Sequence, residues 1–572
     1  MLVAIGLVYA LTAVCAVHLG KNRRWQSPSS SLGPVVDLGY AAFIGNSSLS
    51  SVHFFGGIPY IQPPLGDLRW RAPKQLDETP KNGDAKPLHD ARNFGPICIQ
   101  QPAIVGVGDE DCVTLNVWKP AGAKQGDNLP VVIYIHGGGN YYNSAQGFPM
   151  QDWVNITMQL RGYFALWMCK MSHASSDGGI VAVNIQYRLG LLGFLASSTV
   201  MSDGVANAGL QDQRAAFEWV QRHISCFGGD PDHITISGES SGGGSVLNHL
   251  VWKGGETPRF QAASIGNDPF HGPEIYEVCT NYENVVDFVG CHGAQDVMSC
   301  LRSTSVRVLI SAVNHRPQPQ CKYLPIVDGQ TILDYPSRSL TQGKFAKVPV
   351  MAGHTTDDGT TFAGSNTSVV NATTLYTGIT SSRYFNLTYA TFERGLAMYN
   401  QSQFTSFYDL AQTLAGETEF TCWDWYLANQ TAKYGKPSYL YRWNTPDPVQ
   451  LAAAPYKGVM HTSDLYFLFD GTNSGVSSSQ ATNTFKPFNS TEAPLAREAV
   501  SYWTSFARSY DPSTSKAAGS PSWPAVGAGG NNGNGKRIVP TEGTANGTAT
   551  TVENIDDDYV QRCLVRPTVS EV

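Results

Sequence analysis

Ile234-Thr-Ile-Ser-Gly-Glu-Ser-Ser-Gly242 is a short β-rich apolar run that leads directly into a Gly-x-Ser-x-Gly motif, and a helix-like stretch, Ser245–Leu250, follows it. In a nucleophile elbow, flanking glycines permit so sharp a turn that the serine hydroxyl stands at the carboxyl end of a strand, facing a helix N-terminus. The bare motif is weak, since about half a match is expected by chance in such a chain. The strand and helix around it favour Ser240 as a nucleophile over a Gly/Ser-rich turn.

Similar short, β-rich runs recur along the chain, with longer amphipathic stretches between them. They include residues 131–136, 180–185 and 348–352. Buried strands separated by helices are typical of a mostly parallel sheet covered on both faces, so we predict the α/β class. The 572 residues would allow three or four domains at about 150 residues each, but no repeat or Pro/Ser-rich linker divides them.

The overall composition excludes several classes of protein. Charged residues make up 15% of the chain and apolar residues 42%, which argues against a disordered, collagen-like or coiled-coil protein. The formal net charge of −7 provides no basic surface for a phosphate backbone, so no nucleic-acid partner is expected.

The N-terminus indicates export. The apolar run Leu2–Val17 is shorter than the roughly 20 residues that span a bilayer. The segment Val14-Cys15-Ala16 has small residues suited to signal-peptidase cleavage after Ala16. We therefore predict a signal peptide at 1–16, a secreted protein and no stable membrane anchor; a buried N-terminal helix is the alternative. Nine glycosylation sequons and eleven cysteines fit this compartment. The sequons are at Asn46, Asn155, Asn366, Asn371, Asn386, Asn400, Asn429, Asn489 and Asn546.

A second glycine-rich segment, His136-Gly-Gly-Gly139, ends the apolar run at 131–135. A tetrahedral intermediate requires backbone N–H groups placed where its oxygen becomes negative. We therefore assign the amides of Gly138, Gly139 and Ser241 to an oxyanion hole; a purely structural turn is the alternative.

Further blocks occur in an order that resembles the type-B carboxylesterases, the cholinesterase-like branch of the α/β-hydrolases, from Phe54 to about Cys563. The resemblance implies an α/β-hydrolase fold in one large domain, placed at residues 34–567, and a fungal-type secreted member. The matching blocks are Phe55-Gly-Gly-Ile-Pro-Tyr60, Glu110-Asp-Cys-Val-Thr-Leu-Asn-Val-Trp118, Gln186-Tyr-Arg-Leu-Gly190, Leu210-Gln-Asp-Gln-Arg214, Phe227-Gly-Gly-Asp-Pro231 and Gly238-Glu-Ser-Ser-Gly-Gly243.

The same resemblance supplies the partners of the serine. It implies His461, within Gly458–Phe467, as general base, and Asp358, within Gly353–Phe362, as the acid that orients it. Many relatives carry glutamate at the acid position, and Asp357 is the alternative. Glu239 and Asp464 are candidates for supporting roles, either structural or catalytic.

The expected activity is hydrolysis of a small-molecule carboxylic ester through an acyl-enzyme on Ser240, with no metal or organic cofactor. The alternatives are a lipase or an esterase for aromatic or toxin esters. From a different class, the alternative is a noncatalytic adhesion module of the same fold. Tyr141 and Tyr142 either line the substrate pocket or serve only in packing.

The resemblance also implies disulfides and a feature of specificity. Three pairs are implied: Cys98 with Cys112, Cys291 with Cys300, and Cys422 with Cys563. Cys169, Cys226, Cys279 and Cys321 stay unassigned, with a Cys279–Cys321 pair as a guess. The first pair encloses thirteen residues without Trp, Tyr or Phe, so the loop is too short for a large lid and has no aromatic face for a quaternary ammonium. We therefore expect soluble esters, little interfacial activation and no choline selectivity.

One segment departs from the family spacing. Residues 155–176 are an apparent insertion, Met-rich and containing Trp167 and Cys169. We interpret them as a retained intron in the gene sequence, with a genuine insertion beside the active site as the alternative.

Overall fold

The computed structural model describes residues 30–79, 86–104, 106–159, 179–266, 275–314, 323–382, 387–473, 484–527 and 534–565. The predicted signal peptide lies outside these ranges. The strands are β1 Val35–Asp37, β2 Ala42–Ile44, β3 Val52–Pro59, β4 Leu88–Asp90, β5 Thr114–Pro120, β6 Leu129–Ile135, β7 Val181–Ile185, β8 Gly229–Glu239, β9 Ala262–Gly266, β10 Val350–Thr355, β11 Ser438–Trp443, β12 Thr472–Asn473, β13 Thr484–Phe485, β14 Lys536–Val539 and β15 Thr551–Asn554.

The helices lie mostly between these strands. They are α1 Gln151–Gln159, α2 Gly190–Phe194, α3 Ser198–Asp203, α4 Ala208–His223, α5 Ser241–Val251, α6 Ile275–Phe288, α7 Val297–Ser303, α8 Val306–Asn314, α9 Pro336–Thr341, α10 Ala372–Ser382, α11 Tyr389–Leu396, α12 Phe407–Gly416, α13 Cys422–Lys433, α14 Pro448–Ala453, α15 Ser463–Leu468, α16 Glu492–Ser509 and α17 Asp557–Val565. A single π-helical turn, Glu417–Thr421, joins α12 to α13.

A ten-stranded mixed sheet organises the chain. Its order is β15-β14-β11-β10-β9-β8-β6-β7-β5-β3. The strands from β14 to β7 in this order pair in parallel, and the outer pairs are antiparallel. The predicted α/β class and α/β-hydrolase fold are therefore confirmed.

Strand β6 shows why these residues form a central strand. All seven of its residues are buried. Val131 and Ile133 pack into one hydrophobic core, whereas Val132 and Tyr134 pack into another on the opposite face of the sheet. A strand covered on both faces has no polar side to alternate with, which explains the continuous apolar run in the sequence.

Parallel order brings distant parts of the sequence to one edge of the sheet. Strands β6, β8, β9 and β10 are successive neighbours, so their carboxyl ends lie side by side. The glycine segment follows β6, Ser240 follows β8, and Asp358 follows β10. This edge is where the predicted site residues meet.

Three disulfides link described residues, and they are the three pairs that the resemblance implied. Cys226 is also disulfide-bonded. The guessed Cys279–Cys321 pair cannot be placed, because Cys321 lies outside the described residues.

The apparent insertion begins later than its spacing suggested. Residues 155–159 complete helix α1, where Thr157 is buried. The Trp153 side chain anchors this helix to the end of α15: its indole stacks on Phe469, and its N–H donates to the carbonyl of Leu468 at 2.8 Å. Residues 160–176 lie outside the described residues, so the retained intron stays a prediction.

Candidate active site

The turn that carries Ser240 is tightly packed. Ser240 has φ 55° and ψ −131°, a conformation that costs a non-glycine residue about 1–3 kcal/mol. A Cβ on Gly238 would lie 2.4 Å from the backbone of Gly242, and a Cβ on Gly242 would lie 2.1 Å from the carbonyl oxygen of Ile135. The two glycines of the motif are therefore steric requirements. Helix α5 begins at Ser241, four residues before the helix-like stretch apparent in the sequence.

Ser240, His461 and Asp358 form one hydrogen-bonded line. The Ser240 hydroxyl is 2.9 Å from Nε2 of His461, and Nδ1 of His461 is 2.6 Å from a carboxylate oxygen of Asp358. His461 and Asp358 are buried, and Ser240 is half-buried. With Nδ1–H donating to the carboxylate, Nε2 is free to accept the serine proton.

The two adjacent aspartates take different partners. Asp358 directs its second carboxylate oxygen to the backbone N–H of Thr355 at 3.1 Å. Asp357 instead accepts the backbone N–H of Val459 at 2.8 Å, in the loop that leads to His461. The structure therefore places Asp358 at the imidazole and Asp357 in the support of its loop.

Two further carboxylates surround the imidazole. Glu239 lies 3.5 Å from Nε2 of His461, and Asp464 accepts a hydrogen bond from the Tyr441 hydroxyl at 3.2 Å. Burial, the largest single influence, lowers the pKa of His461, but Glu239, Asp358 and Asp464 together outweigh it and raise the pKa. Burial, followed by the charge of Asp358, raises the pKa of Asp464 to about 6. The site is thus built to stabilise an imidazolium.

The glycine segment lies against the nucleophile turn. A Cβ on Gly137 would come within 2.9 Å of the Ser240 Cβ. Gly138 and Gly139 have φ of 114° and 61°, which side-chain-bearing residues rarely adopt. Among the described residues, the N–H groups of Gly138 and Gly139 donate to no backbone or side-chain acceptor. They are available to an oxyanion beside Ser240.

Both tyrosines that follow the glycine segment contact it. The Tyr141 ring would lie 2.4 Å from a Cβ on Gly139, and the Tyr142 carbonyl oxygen would lie 2.2 Å from a Cβ on Gly138. Both tyrosines are half-buried, which is compatible with the packing role and the pocket-lining role that the sequence left open.

Two phenylalanines enclose the imidazole of His461, and the sequence did not indicate their role. Phe420 stacks on the ring with centroids 4.7 Å apart and planes 29° apart, and Phe362 meets it edge-on at 5.0 Å. Phe362 lies four residues after Asp358, at the end of the Gly353–Phe362 block, so the sequence placed it near the acid but did not indicate its contact with the imidazole. Phe420 lies in the π-helical turn and no local motif marks it.

Within the described ranges, no group of three or more His, Cys, Asp or Glu residues is arranged to hold a metal ion. In the same part of the chain, no helix is long and apolar enough to cross a membrane.

The sequence model of the carboxylesterase family matches residues 33–551. The chain belongs to the carboxylesterase family. Its solved relatives include Aspergillus niger EstA, whose crystal structure superimposes with a TM-score of 0.79 at 30% sequence identity, covering 95% of this chain and 99% of EstA.

Fungal lipases are among the similar proteins of this family. The chain is 34% identical to Lipase 5 of Diutina rugosa, over 56% of this chain and 60% of the lipase. It is 32% identical to the secreted triacylglycerol lipase LIP1 of Gibberella zeae, over 56% of this chain and 57% of that protein. The chain thus spans about 60% of the length of these relatives.

Proposed function

We propose that this member of the carboxylesterase family is a secreted serine esterase that hydrolyses carboxylic esters through an acyl-enzyme on Ser240. The observation that carries the proposal is the buried line from the Ser240 hydroxyl through His461 to Asp358, with distances of 2.9 and 2.6 Å. Beside it lie the amides of Gly138 and Gly139, which donate to no acceptor in the described part of the chain. A noncatalytic adhesion module would have no need of this arrangement or of the strained Ser240 backbone.

The reaction uses each group in turn. Nε2 of His461 takes the proton as the Ser240 oxygen attacks the ester carbonyl, and Asp358 stabilises the imidazolium that forms. The amides of Gly138, Gly139 and Ser241 receive the developing oxyanion. His461 then protonates the leaving alcohol, and water, activated by the same imidazole, releases the acid from the acyl-enzyme and regenerates Ser240.

Labelling with a fluorophosphonate tests the reaction class. We expect the protein to be labelled, and we expect Ser240→Ala to abolish both labelling and hydrolysis of p-nitrophenyl butyrate. Ser245→Ala is the matched control: its hydroxyl lies one turn along the same helix and donates to the carbonyl of Ser241 at 2.9 Å. A folded parent that is neither labelled nor active would refute the proposal in favour of the binding module.

Short, soluble esters are the substrate class that the Cys98–Cys112 loop favours. The loop is hydrogen-bonded to the body of the protein: Gln101 N–H donates to the Tyr141 carbonyl at 2.8 Å, and Ala103 exchanges two hydrogen bonds of 2.7 Å with the Asn314 side chain. A loop held at both points has little freedom to open on a lipid surface.

The lipases among the relatives supply the competing substrate class. Tributyrin measured below and above its solubility limit separates the two. We expect the rate to saturate smoothly, and a steep rise on emulsification would favour a lipase. A panel of p-nitrophenyl esters from acetate upward, with feruloyl and choline esters, then defines the acyl and alcohol preference.

Secretion is supported by the three disulfides, which persist in oxidising compartments, and by the secreted lipase among the relatives. N-terminal sequencing of the protein recovered from culture medium tests it. We expect a start after Ala16, and retention of the chain inside the cell would contradict the proposal.

A further inference from the structure

The glycine loop Gly137–Gly139 has little conformational preference of its own. Three consecutive glycines have more backbone freedom than any other tripeptide, and Gly138 and Gly139 both have positive φ. An oxyanion hole accelerates a reaction only if its donors are fixed before the charge develops. The Gly138 carbonyl accepts from the N–H groups of Tyr141 and Tyr142 at 3.1 and 3.0 Å, and contacts with other segments hold the two ends of the loop.

The carboxyl end of the loop is held by the Ser241 side chain. The backbone N–H of Asn140 donates to the Ser241 hydroxyl oxygen at 3.0 Å. Asn140 and Ser241 are only 6% and 3% exposed, so water cannot readily replace this bond. The carbonyl of Asn140 in turn accepts the N–H of Gly190 at 2.8 Å.

The amino end of the loop is held through Tyr187. The Tyr187 hydroxyl donates to the carbonyl of His136 at 2.8 Å, and the two rings stack with centroids 4.6 Å apart. The Ser241 side chain lies near the same phenol: burial raises the pKa of Tyr187, and Ser241 opposes that rise. The two ends of the loop are thus held by two hydroxyl groups: Ser241 accepts from Asn140 at one end, and Tyr187 donates to His136 at the other.

We infer that the Ser241 hydroxyl is a positioning group for the oxyanion hole, a role separate from that of the Ser241 amide and resting on the proposed function. The amide of Ser241 is the expected third donor, and its side chain fixes the loop that carries the other two. A single residue at the start of α5 therefore sets the distance between the two halves of the hole.

Ser241→Ala isolates the hydroxyl, because it keeps the backbone amide and suits a helix start. We expect kcat on p-nitrophenyl butyrate to fall about 10-fold and KM to change by less than about twofold, since loosened donors weaken only the transition state. The Ki of a trifluoromethyl ketone, which forms a tetrahedral adduct with Ser240, should rise by the same factor as kcat/KM falls. Ser241→Thr, which restores a hydroxyl, should recover most of the rate.

Hydrogen exchange of the peptide spanning residues 137–142 provides a readout that needs no activity. It should exchange faster in Ser241→Ala than in the parent, and Ser245→Ala should match the parent in both exchange and kcat. Tyr187→Phe should also lower kcat, and the double variant should lose less than the product of the two single losses, because both hydroxyl groups hold the same glycine loop.

Several results would overturn the inference. A kcat within twofold of the parent would do so, as would unchanged exchange or a ketone Ki that stays constant while kcat/KM falls. An inactive parent would refute the proposed function instead, and the exchange comparison would still decide the role of Ser241. If Ser241→Ala fails to fold, Ser241→Cys replaces it, because a thiol is a weaker acceptor than a hydroxyl. The cysteine variant should lose less than the 10-fold in kcat expected for alanine, and its 137–142 peptide should exchange faster than that of the parent. Parental values of both kcat and exchange would equally overturn the inference.

Discussion

Asp358→Asn should reduce kcat/KM by about three to four orders of magnitude, because the carboxylate has two donors to satisfy. One oxygen accepts from His461 Nδ1 at 2.6 Å and the other from the backbone N–H of Thr355 at 3.1 Å. An asparagine offers a single acceptor. If its oxygen faces Thr355, its NH₂ faces Nδ1, and the imidazole must carry its proton on Nε2, where it can no longer accept the proton of Ser240.

The opposite rotamer is also unfavourable. It would set the NH₂ against the Thr355 N–H in a site where Asp358 is 1% exposed, leaving buried donors unsatisfied at a cost of about 1–3 kcal/mol. In either rotamer the negative charge that stabilises the imidazolium is lost. Together these effects should raise the activation free energy by about 4–5.5 kcal/mol, which corresponds to the expected thousandfold to ten-thousandfold loss in kcat/KM.

The assay is kcat/KM on p-nitrophenyl butyrate at a pH where His461 is neutral, with the melting temperature as a check on folding. Asp357→Asn is the matched control, since it alters the neighbouring carboxylate, which bonds to Val459 rather than to the imidazole. We expect it to retain activity within a few-fold. A folded Asp358→Asn variant with a loss below tenfold, or a larger loss in Asp357→Asn, would refute the assignment.

Three further perturbations test other parts of the site. Glu239→Gln removes a negative charge 3.5 Å from His461, so the pKa of the imidazole should fall and the acidic limb of the kcat/KM profile should move to lower pH; an unmoved limb would contradict the electrostatic role. Replacing Cys422 and Cys563 by serine removes a disulfide that joins residues 141 positions apart. The free energy of unfolding should fall by up to about 5 kcal/mol, because the unfolded chain gains conformational entropy, and equilibrium unfolding in urea measures the loss. Gly138→Ala places a Cβ 2.2 Å from the carbonyl oxygen of Tyr142, so the glycine loop must shift and kcat should fall by about 100-fold or more. A kcat equal to that of the parent would exclude this loop from the oxyanion hole.

Local sequence signals were sufficient where the chemistry is local. The nucleophile turn spans only a few residues, and a Cβ on Gly238 would meet the backbone of Gly242 within it; Gly242 is limited instead by the Ile135 carbonyl oxygen of the neighbouring strand β6. The buried strands could be predicted from the sequence because both of their faces pack against apolar cores, which requires a continuous apolar run of residues. The α/β class and the position of Ser240 were therefore readable from single segments.

The partners of the serine needed more than local pattern. His461 and Asp358 came from resemblance to a family, because 118 residues separate Ser240 from the acid and no periodicity spans such a distance. The stacking of Phe420 on the imidazole depends on a π-helical turn, whose phase relative to its flanking helices no single motif specifies.

The amino-acid sequence by itself determined the class of fold, the nucleophile turn and the residue types available for ester hydrolysis. Only the tertiary structure decided which of two adjacent aspartates faces the imidazole, and that the Ser241 hydroxyl accepts from the Asn140 amide at the end of the glycine loop. The physical reason is that the direction of a side chain depends on its backbone turn and on neighbours contributed by other strands. Those neighbours become close only when the parallel sheet brings the ends of its strands together.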